Sequence, residues 1–449
     1  MEAHDDSPLR APEELLEPFR EAETPRARWR VGTEAEKFGV FIEDGAPLPF
    51  DGPKSVRRVL EALVESHGWF EQRELEGGEV ISLRRGESSI TLEPGGQLEL
   101  SGAPLETIHH TCTEFRGHMA ELSAISEELG VAWLGLGFHP TATQAALPWV
   151  PKLRYRIMRD YLPTRGALAL DMMRRTATVQ ANFDFESEVD AMRKLRVALR
   201  TQPVVTAMFA NSPFAEGART GDRTRRGRVW LEVDPDRSGL LPFAHRDDAG
   251  YADYVGWALD VPMFMLKRGD RVLENTGQTF RAFMKDGFSG ATATRGDWTT
   301  HLNTLFPEVR LKTTLEVRGA DGQGTWLTCA LPALWKGLLY DEAALDELDA
   351  LTRSWELPAL NALRREVAAK GLHAAFEGES AGHWARRVLA IASGGLSRLN
   401  HLNRDGKDER IHLTELEGLV AEDRTPADVL LDSVREDHFL EDLLKHARV

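Results

Sequence analysis

Cysteine is nearly missing from this chain, with two in 449 residues. That is too few for a disulfide framework or a four-cysteine zinc site. No stretch approaches the run of about 18 apolar residues that a membrane span requires. The opening Met1-Glu2-Ala3-His4-Asp5-Asp6 is acidic where a secretory leader would be basic and then apolar. Together these absences predict a cytoplasmic setting. Positive charge is also in deficit, 55 basic side chains against 71 acidic ones, for a net −16. Such a surface repels nucleic acid and anionic membrane. Small anionic substrates remain open, provided that a pocket is locally basic. No repeat recurs at a period of about 20 to 50 residues, which excludes solenoids and propellers. A P-loop is absent. Gly135-Leu136-Gly137 follows an apolar run, but Pro140 stands where a dinucleotide fingerprint needs its third glycine. The segment reads as a buried strand end.

What is present is a chain 42% hydrophobic and 28% charged, enough for a sizeable core. Residues 1–26 are polar and rich in Glu and Pro, and predict a loosely ordered lead-in. Residues 27–449 read as a single domain whose last part, about 341–449, is helical. Leu105, Ile108, Cys112, Phe115, Met119 and Leu122 recur at three- and four-residue steps. That stripe predicts a helix from Pro104 to about Leu129, stopped by Gly130. Further helices are expected over 188–210, 341–351, 381–392 and 426–446.

The chemistry sits on strands. Side chains two apart share a strand face, so Glu34 and Glu36 point the same way. After the Pro94-Gly95-Gly96 turn, Gln97, Glu99 and Ser101 oppose Leu98 and Leu100. Gln180, Asn182 and Asp184 oppose Val179, Ala181, Phe183 and Phe185, and Thr314, Glu316 and Arg318 oppose Leu315 and Val317. Simple alternation fits an antiparallel sheet with one wet face. The composition of that face, rich in Glu, Gln and Asn, asks for more. Clustered carboxylates repel one another unless cations neutralise them. Oxygen-rich sites of this kind suit Mg²⁺, which keeps positions for substrate phosphates. Arg318 among them offers a positive fork to a transferring phosphoryl group. Arg154, after a proline-containing loop, and the arginine-rich run from Arg219 to Arg228 could hold an anionic substrate. For most of that run a solvated loop is the plainer reading.

Five strings, in order, resemble the glutamate–cysteine ligases of the plant and proteobacterial type. They are Gly32-Thr33-Glu34-Ala35-Glu36-Lys37-Phe38-Gly39, the stretch from Glu93 to Thr107, Leu170-Asp171-Met172-Met173-Arg174-Arg175-Thr176, Phe209-Ala210-Asn211-Ser212-Pro213-Phe214, and Glu316-Val317-Arg318-Gly319-Ala320-Asp321. The resemblance implies an α+β, glutamine-synthetase-like fold, a curved antiparallel sheet funnel with helices packed outside. It also implies the reaction. ATP phosphorylates the γ-carboxylate of glutamate, and the cysteine amine displaces phosphate to give γ-glutamylcysteine, the first step towards glutathione. On the same analogy Glu34, Glu36, Glu99 and Glu316 are Mg²⁺ ligands, and Gln180 and Asn182 line the metal and substrate site. Arg318 meets the phosphoryl group, and Arg154 and Arg226 clamp glutamate. The strings around Cys112 and Cys329 resemble the two positions of the family's intramolecular disulfide, while residues alone favour two unrelated core thiols. The second cysteine pair of plant members is missing, so monomer and weak homodimer are both open. A ligase of the same fold with another amine acceptor is the alternative. A catalytically inactive regulatory homologue is a third reading, disfavoured because all four carboxylates are present.

Overall fold

A computed structural model describes residues 5–74, 78–269 and 271–449. Its centre is a nine-stranded antiparallel sheet: β1 (Val31–Phe41), β2 (Phe70–Arg73), β3 (Val80–Arg85), β4 (Ser88–Leu92), β5 (Leu98–Ser101), β6 (Val131–Leu134), β7 (Thr178–Phe183), β8 (Val309–Leu311) and β9 (Leu315–Asp321). The spatial order is β8-β9-β7-β1-β5-β4-β3-β2, and β6 pairs with the far half of β1. Every predicted strand is therefore present, and the sheet is mixed with helices as expected for an α+β fold.

One face of the sheet packs against helices. Glu188–Met208 lies on β9, and Thr325–Leu339 lies on β7 and β1. Val31, Ala35, Leu98, Leu100, Val179, Ala181, Leu315 and Val317 are all buried there. A smaller core joins Phe38, Val40, Ala132 and Leu134 to Leu430 and Leu443 near the C-terminus. Of these, Leu98, Leu100, Val179, Ala181, Leu315 and Val317 are the residues that the period-2 pattern placed opposite the polar face.

Several boundaries differ from the sequence reading. Pro104 lies outside its helix, because Val31 and Leu105 exchange backbone hydrogen bonds of 2.8 and 3.0 Å in extended geometry. The helix begins at Ile108, capped by the Thr107 hydroxyl accepting from the His110 amide at 3.2 Å, and runs to Leu129. Gly130 ends it with φ +70°, as a C-terminal glycine should. The last predicted helix breaks into Pro426–Ser433 and Phe439–Ala447. Asp442 of the second piece accepts from both the backbone and the guanidinium of Arg435, which fixes the bend.

The expectation of a loose lead-in over 1–26 is corrected for its described part. Pro12–Leu16 and Glu17–Glu21 form short helices, with Leu15 and Phe19 fully buried. Phe19 packs on Tyr251 and Tyr254, and Arg295 pairs with Glu14 and Glu17. The overall polarity of the segment hid two apolar anchors spaced four apart. Residues 1–4 lie outside the described residues.

Candidate active site

Strand register sorts the polar residues into rows across one sheet face. Directly opposite residues point the same way. Thr91, Glu99 and Glu36 form one row, and Ser101, Glu34 and Gln180 the next. Asn182, Glu316 and Arg310 form a third. The face is partly covered, where plain alternation suggested an open wet one. Helices Leu153–Tyr161, Ala169–Arg175 and Arg225–Trp230 roof it. They cover a cavity of about 290 Å³ lined by residues that include Glu34, Glu36, Glu93, Glu99, Arg154, Gln180, Arg226 and Arg318. Seven of the predicted site residues thus line one cavity. Glu316 and Asn182 do not line it: Glu316 is fully buried beneath the floor, and Asn182 is half-buried beside it.

The roof is held by short polar ties. The Pro94-Gly95-Gly96 turn approaches the Ala169–Arg175 helix so closely that a Cβ on Gly95 would sit 2.3 Å from the Arg174 carbonyl oxygen. Gly96 has φ +84°, which also calls for glycine. Gln97 secures the contact by donating to the Thr176 carbonyl at 2.8 Å. On the other side Asp321 accepts from the Asn211 amide, the Ser212 hydroxyl and the Thr224 hydroxyl at 2.8, 2.6 and 2.8 Å. Thr224 caps the helix that carries Arg226. The buried Asp321 therefore ties two of the recognisable strings together and sets the position of Arg226.

The acidic part of the floor is strained by like charge. Burial first, then Glu93 and Glu99, hold the Glu36 carboxyl well above the usual range, although it accepts from the Thr178 amide at 3.0 Å. Burial, then Glu34 and Glu93, push Glu99 up to about 8. Thr91 and Ser101 hydroxyls donate to Glu99 at 2.7 and 3.0 Å. Glu34 accepts from Gln180 and Asn182 at 3.1 and 2.9 Å. Glu93, before the turn, lines the cavity and accepts from the Tyr155 hydroxyl at 3.4 Å. Sequence reasoning left it unassigned, since the turn masks its alternation with Glu99.

The opposite end of the floor is neutralised internally. Arg310 grips Glu316 through both nitrogens at 2.7 to 3.0 Å, Lys312 approaches at 3.1 Å, and Arg318 completes the set. Burial would raise the Glu316 carboxyl, but Arg310, Lys312 and Arg318 bring it well below the usual range. A β-bulge between Val317 and Ala320 turns Arg318 across the sheet, where it donates to Gln180 Oε1 at 2.6 Å. Arg226 donates to the Arg318 carbonyl at 2.8 Å. Its Nε and that of Arg154 are buried without a partner. Arg154 lies beside Tyr155, 5.1 Å from the ring, and donates to its hydroxyl at 3.3 Å. Lys152, Arg310 and Lys312 are basic groups of this site that alternation could not flag, because each lies on a loop, a helix cap or a short edge strand.

The rest of the arginine run is not the solvated loop expected. Arg225 and Arg228 pair with Asp222, and Arg223 pairs with Asp428 at 2.6 Å. The expected bridge is present: Cys112 and Cys329 are disulfide-bonded with Cα atoms 5.8 Å apart.

A carboxylate floor, a guanidinium wall and a roofed cavity of this size define an enzyme that handles charged small molecules. The glutamate-cysteine ligase family 2 model matches residues 30–446. Glutamate--cysteine ligase B, chloroplastic, of Oryza sativa subsp. japonica is 44% identical over 412 residues, covering 91% of this chain and 81% of its own. The chloroplastic glutamate--cysteine ligase of Arabidopsis thaliana is 44% identical over 409 residues, covering 90% and 76%. Among solved structures, the glutamate--cysteine ligase of Francisella tularensis in complex with AMP superposes with a TM-score of 0.58 at 13% identity, over 93% of this chain and 87% of that one. That likeness concerns the fold. The chain belongs to glutamate-cysteine ligase family 2. It is a ligase, joining glutamate to cysteine at the expense of ATP in the first step of glutathione synthesis.

The cytoplasmic expectation is overturned by these names. The matching plant relatives are chloroplastic proteins, so the acidic opening of this chain does not assign it to the cytoplasm.

Proposed function

We propose that the two ends of the sheet face divide the ligation between them. The residues that would hold Mg²⁺, and so supply positive charge to the ATP phosphates, are those of the acidic end, Glu34, Glu36, Glu99 and Glu93. Glu36 and Glu99, raised by burial and by neighbouring carboxylates, are short of positive charge, and oxygen ligands of this kind fit that ion. Among the described residues no three acidic or histidine side chains already converge on one point. Glu316 must loosen its grip on Arg310 to take part, so its share in metal binding comes with an exchange of partners. Bound there, the metal would draw charge from the phosphates.

The chain's own groups do the rest. Arg154 and Arg226, with unpartnered Nε atoms, hold the carboxylates of glutamate and orient its γ-carboxylate towards the phosphates. Arg318, aimed by the bulge and steadied by Gln180, meets the negative charge that builds on the transferred phosphoryl oxygens. The roof excludes water, so that the acyl phosphate meets the cysteine amine before hydrolysis. The observation that carries this reading is the crowding of Glu36, Glu93 and Glu99 in one cavity with Arg154 and Arg226, whose Nε atoms have no partner.

ADP release measured with ATP, Mg²⁺ and each amino acid tests it. Full turnover is expected only when glutamate and cysteine are both present. ADP formed at the full rate without glutamate would sink the acyl-phosphate route. Equal rates with other amines would favour the alternative acceptor.

A further inference from the structure

Each arginine of the glutamate clamp is the second residue of a roof helix, so each depends on how the first turn of that helix is held. The start of a helix leaves backbone N–H groups that need acceptors from outside it. For Arg226 the acceptor is local: Thr224 caps the helix, and Asp321 fixes Thr224. Arg154 has no such neighbour. The residue before its helix is Lys152, whose side chain makes no cap bond and has no acceptor to offer. The acceptor comes instead from 79 positions earlier, where Glu74 Oε2 takes the hydrogen bond of the Leu153 amide at 2.9 Å. A carboxylate in that place also complements the positive end of the helix.

Glu74 follows directly on β2, the outermost strand of the sheet. The pairing of β2 with β3 slips between Gln72 and Arg73, an irregularity of the kind that re-aims the residues after it. The chain thus leaves the ladder just before Glu74, and the half-buried carboxylate reaches from the sheet edge to the roof. Other ties flank this turn. Lys152 Nζ and the Tyr155 hydroxyl both donate to the Leu92 carbonyl, at 2.7 and 2.9 Å. They hold side chains, whereas Glu74 holds the backbone one residue before Arg154. The Arg154 guanidinium meets the Tyr155 hydroxyl at 3.3 Å and keeps a buried Nε without a partner. Where it reaches therefore depends on the backbone that carries it.

We infer that Glu74 is a positioning residue for ligation, a cap supplied by the sheet edge that sets the first turn of the roof helix and with it the reach of Arg154 to glutamate. The inference rests on Arg154 being a glutamate clamp. Glu74 itself does not line the cavity and touches no substrate. Its loss should therefore act on glutamate through Arg154 and leave the nucleotide and the amine acceptor alone.

Steady-state kinetics of the full-length protein test this with Glu74→Ala, Glu74→Gln, Arg154→Ala and the double variant Glu74→Ala/Arg154→Ala, each checked by circular dichroism. Glu74→Ala should raise the KM for glutamate about fivefold or more, with kcat and the KM values for ATP and cysteine within about twofold of wild type. Glu74→Gln, which keeps an oxygen for the Leu153 amide, should bring the KM for glutamate back to within about twofold. Once Arg154 is alanine, the further change at Glu74 should add less than about twofold, since a residue that acts through Arg154 has nothing left to position. An unchanged KM for glutamate in Glu74→Ala, equal rises for all three substrates, no recovery in Glu74→Gln, or full additivity in the double variant overturns the inference. Arg154→Ala separates the two levels of the argument. If it raises the KM for glutamate while Glu74→Ala does not, the clamp stands and Glu74 is only a surface tie. If Arg154→Ala leaves that KM unchanged, the clamp assignment itself falls and takes this role of Glu74 with it.

Discussion

The two ends of the cavity floor are built from the same kind of residue on the same sheet face, yet their carboxyls are shifted in opposite directions. At one end Glu36 faces Glu99 across the ladder; burial, then Glu93 and Glu99, raise the Glu36 carboxyl, and burial, then Glu34 and Glu93, raise that of Glu99. At the other end Glu316 faces Arg310, with Lys312 and Arg318 beside it, and its carboxyl is driven far down. Burial raises all three carboxyls, and the difference lies in the sign of the charges around them: carboxylates at the first end, Arg310, Lys312 and Arg318 at the second. A glutamate on this face is thus pushed towards its acid or held as an anion according to its charged neighbours. The first kind is ready to exchange a proton for a metal cation. The second is ready to hold a guanidinium in place.

Removing one carboxylate from each end should separate these roles, and this is the largest effect expected. Glu36→Gln relieves repulsion and should leave the thermal midpoint unchanged or higher, while activity falls by about 100-fold or more. Glu316→Gln strips Arg310 of its buried partner and should cost about 3–5 kcal/mol of stability along with activity. Thermal melts beside ADP-release rates give both readings. Loss of stability in Glu36→Gln, or a stable Glu316→Gln, would erase the contrast.

The guanidinium groups allow a finer division, of smaller size. Arg226→Ala should mainly raise the KM for glutamate, and Arg318→Ala should mainly lower kcat, because a ground-state clamp and a transition-state contact enter different terms. Changes of about tenfold to 100-fold are expected in each, read from steady-state kinetics in glutamate. The opposite pattern would exchange the two assignments.

Much of this was legible in period-2 spacing. Glu34, Glu36, Glu99, Gln180, Asn182 and Glu316 were placed on one face from alternation, and the sheet puts them there. What alternation could not supply was the register between strands, and register decides that Glu36 meets Glu99 whereas Glu316 meets Arg310. Glu93 was masked by its turn. Arg310 lies on a three-residue strand too short to show a pattern, and the bulge that turns Arg318 depends on a partner 138 positions earlier. The fold class followed from the strings that resemble the family. The boundaries depended on tertiary contacts, such as the pairing of Leu105 with Val31 that delays the helix after Pro104.

The gentlest test of the contrast is the pH dependence of stability without metal. Glu99 titrates at about 8 in the folded protein but near 4.3 when unfolded. Between those values the folded chain keeps a proton that the unfolded chain has released. Stability contributed by this group is therefore complete below about pH 4 and is lost as pH rises through 8, with a slope of at most about 1.4 kcal/mol per pH unit. Glu36 acts in the same direction. Glu316, already an anion in both states at neutral pH, adds no slope there. Mg²⁺ binding at the acidic end should displace the proton from Glu99, so the cation should raise the thermal midpoint more at pH 8 than at pH 6. Glu99→Gln removes the titrating group and should flatten both dependences. Melting curves of wild type and Glu99→Gln, with and without Mg²⁺ at several pH values, decide the matter. Parallel pH slopes in the two proteins would mean that Glu99 is an ordinary carboxylate in the folded state, and the two ends of the floor would then differ only in their neighbours and not in their protons.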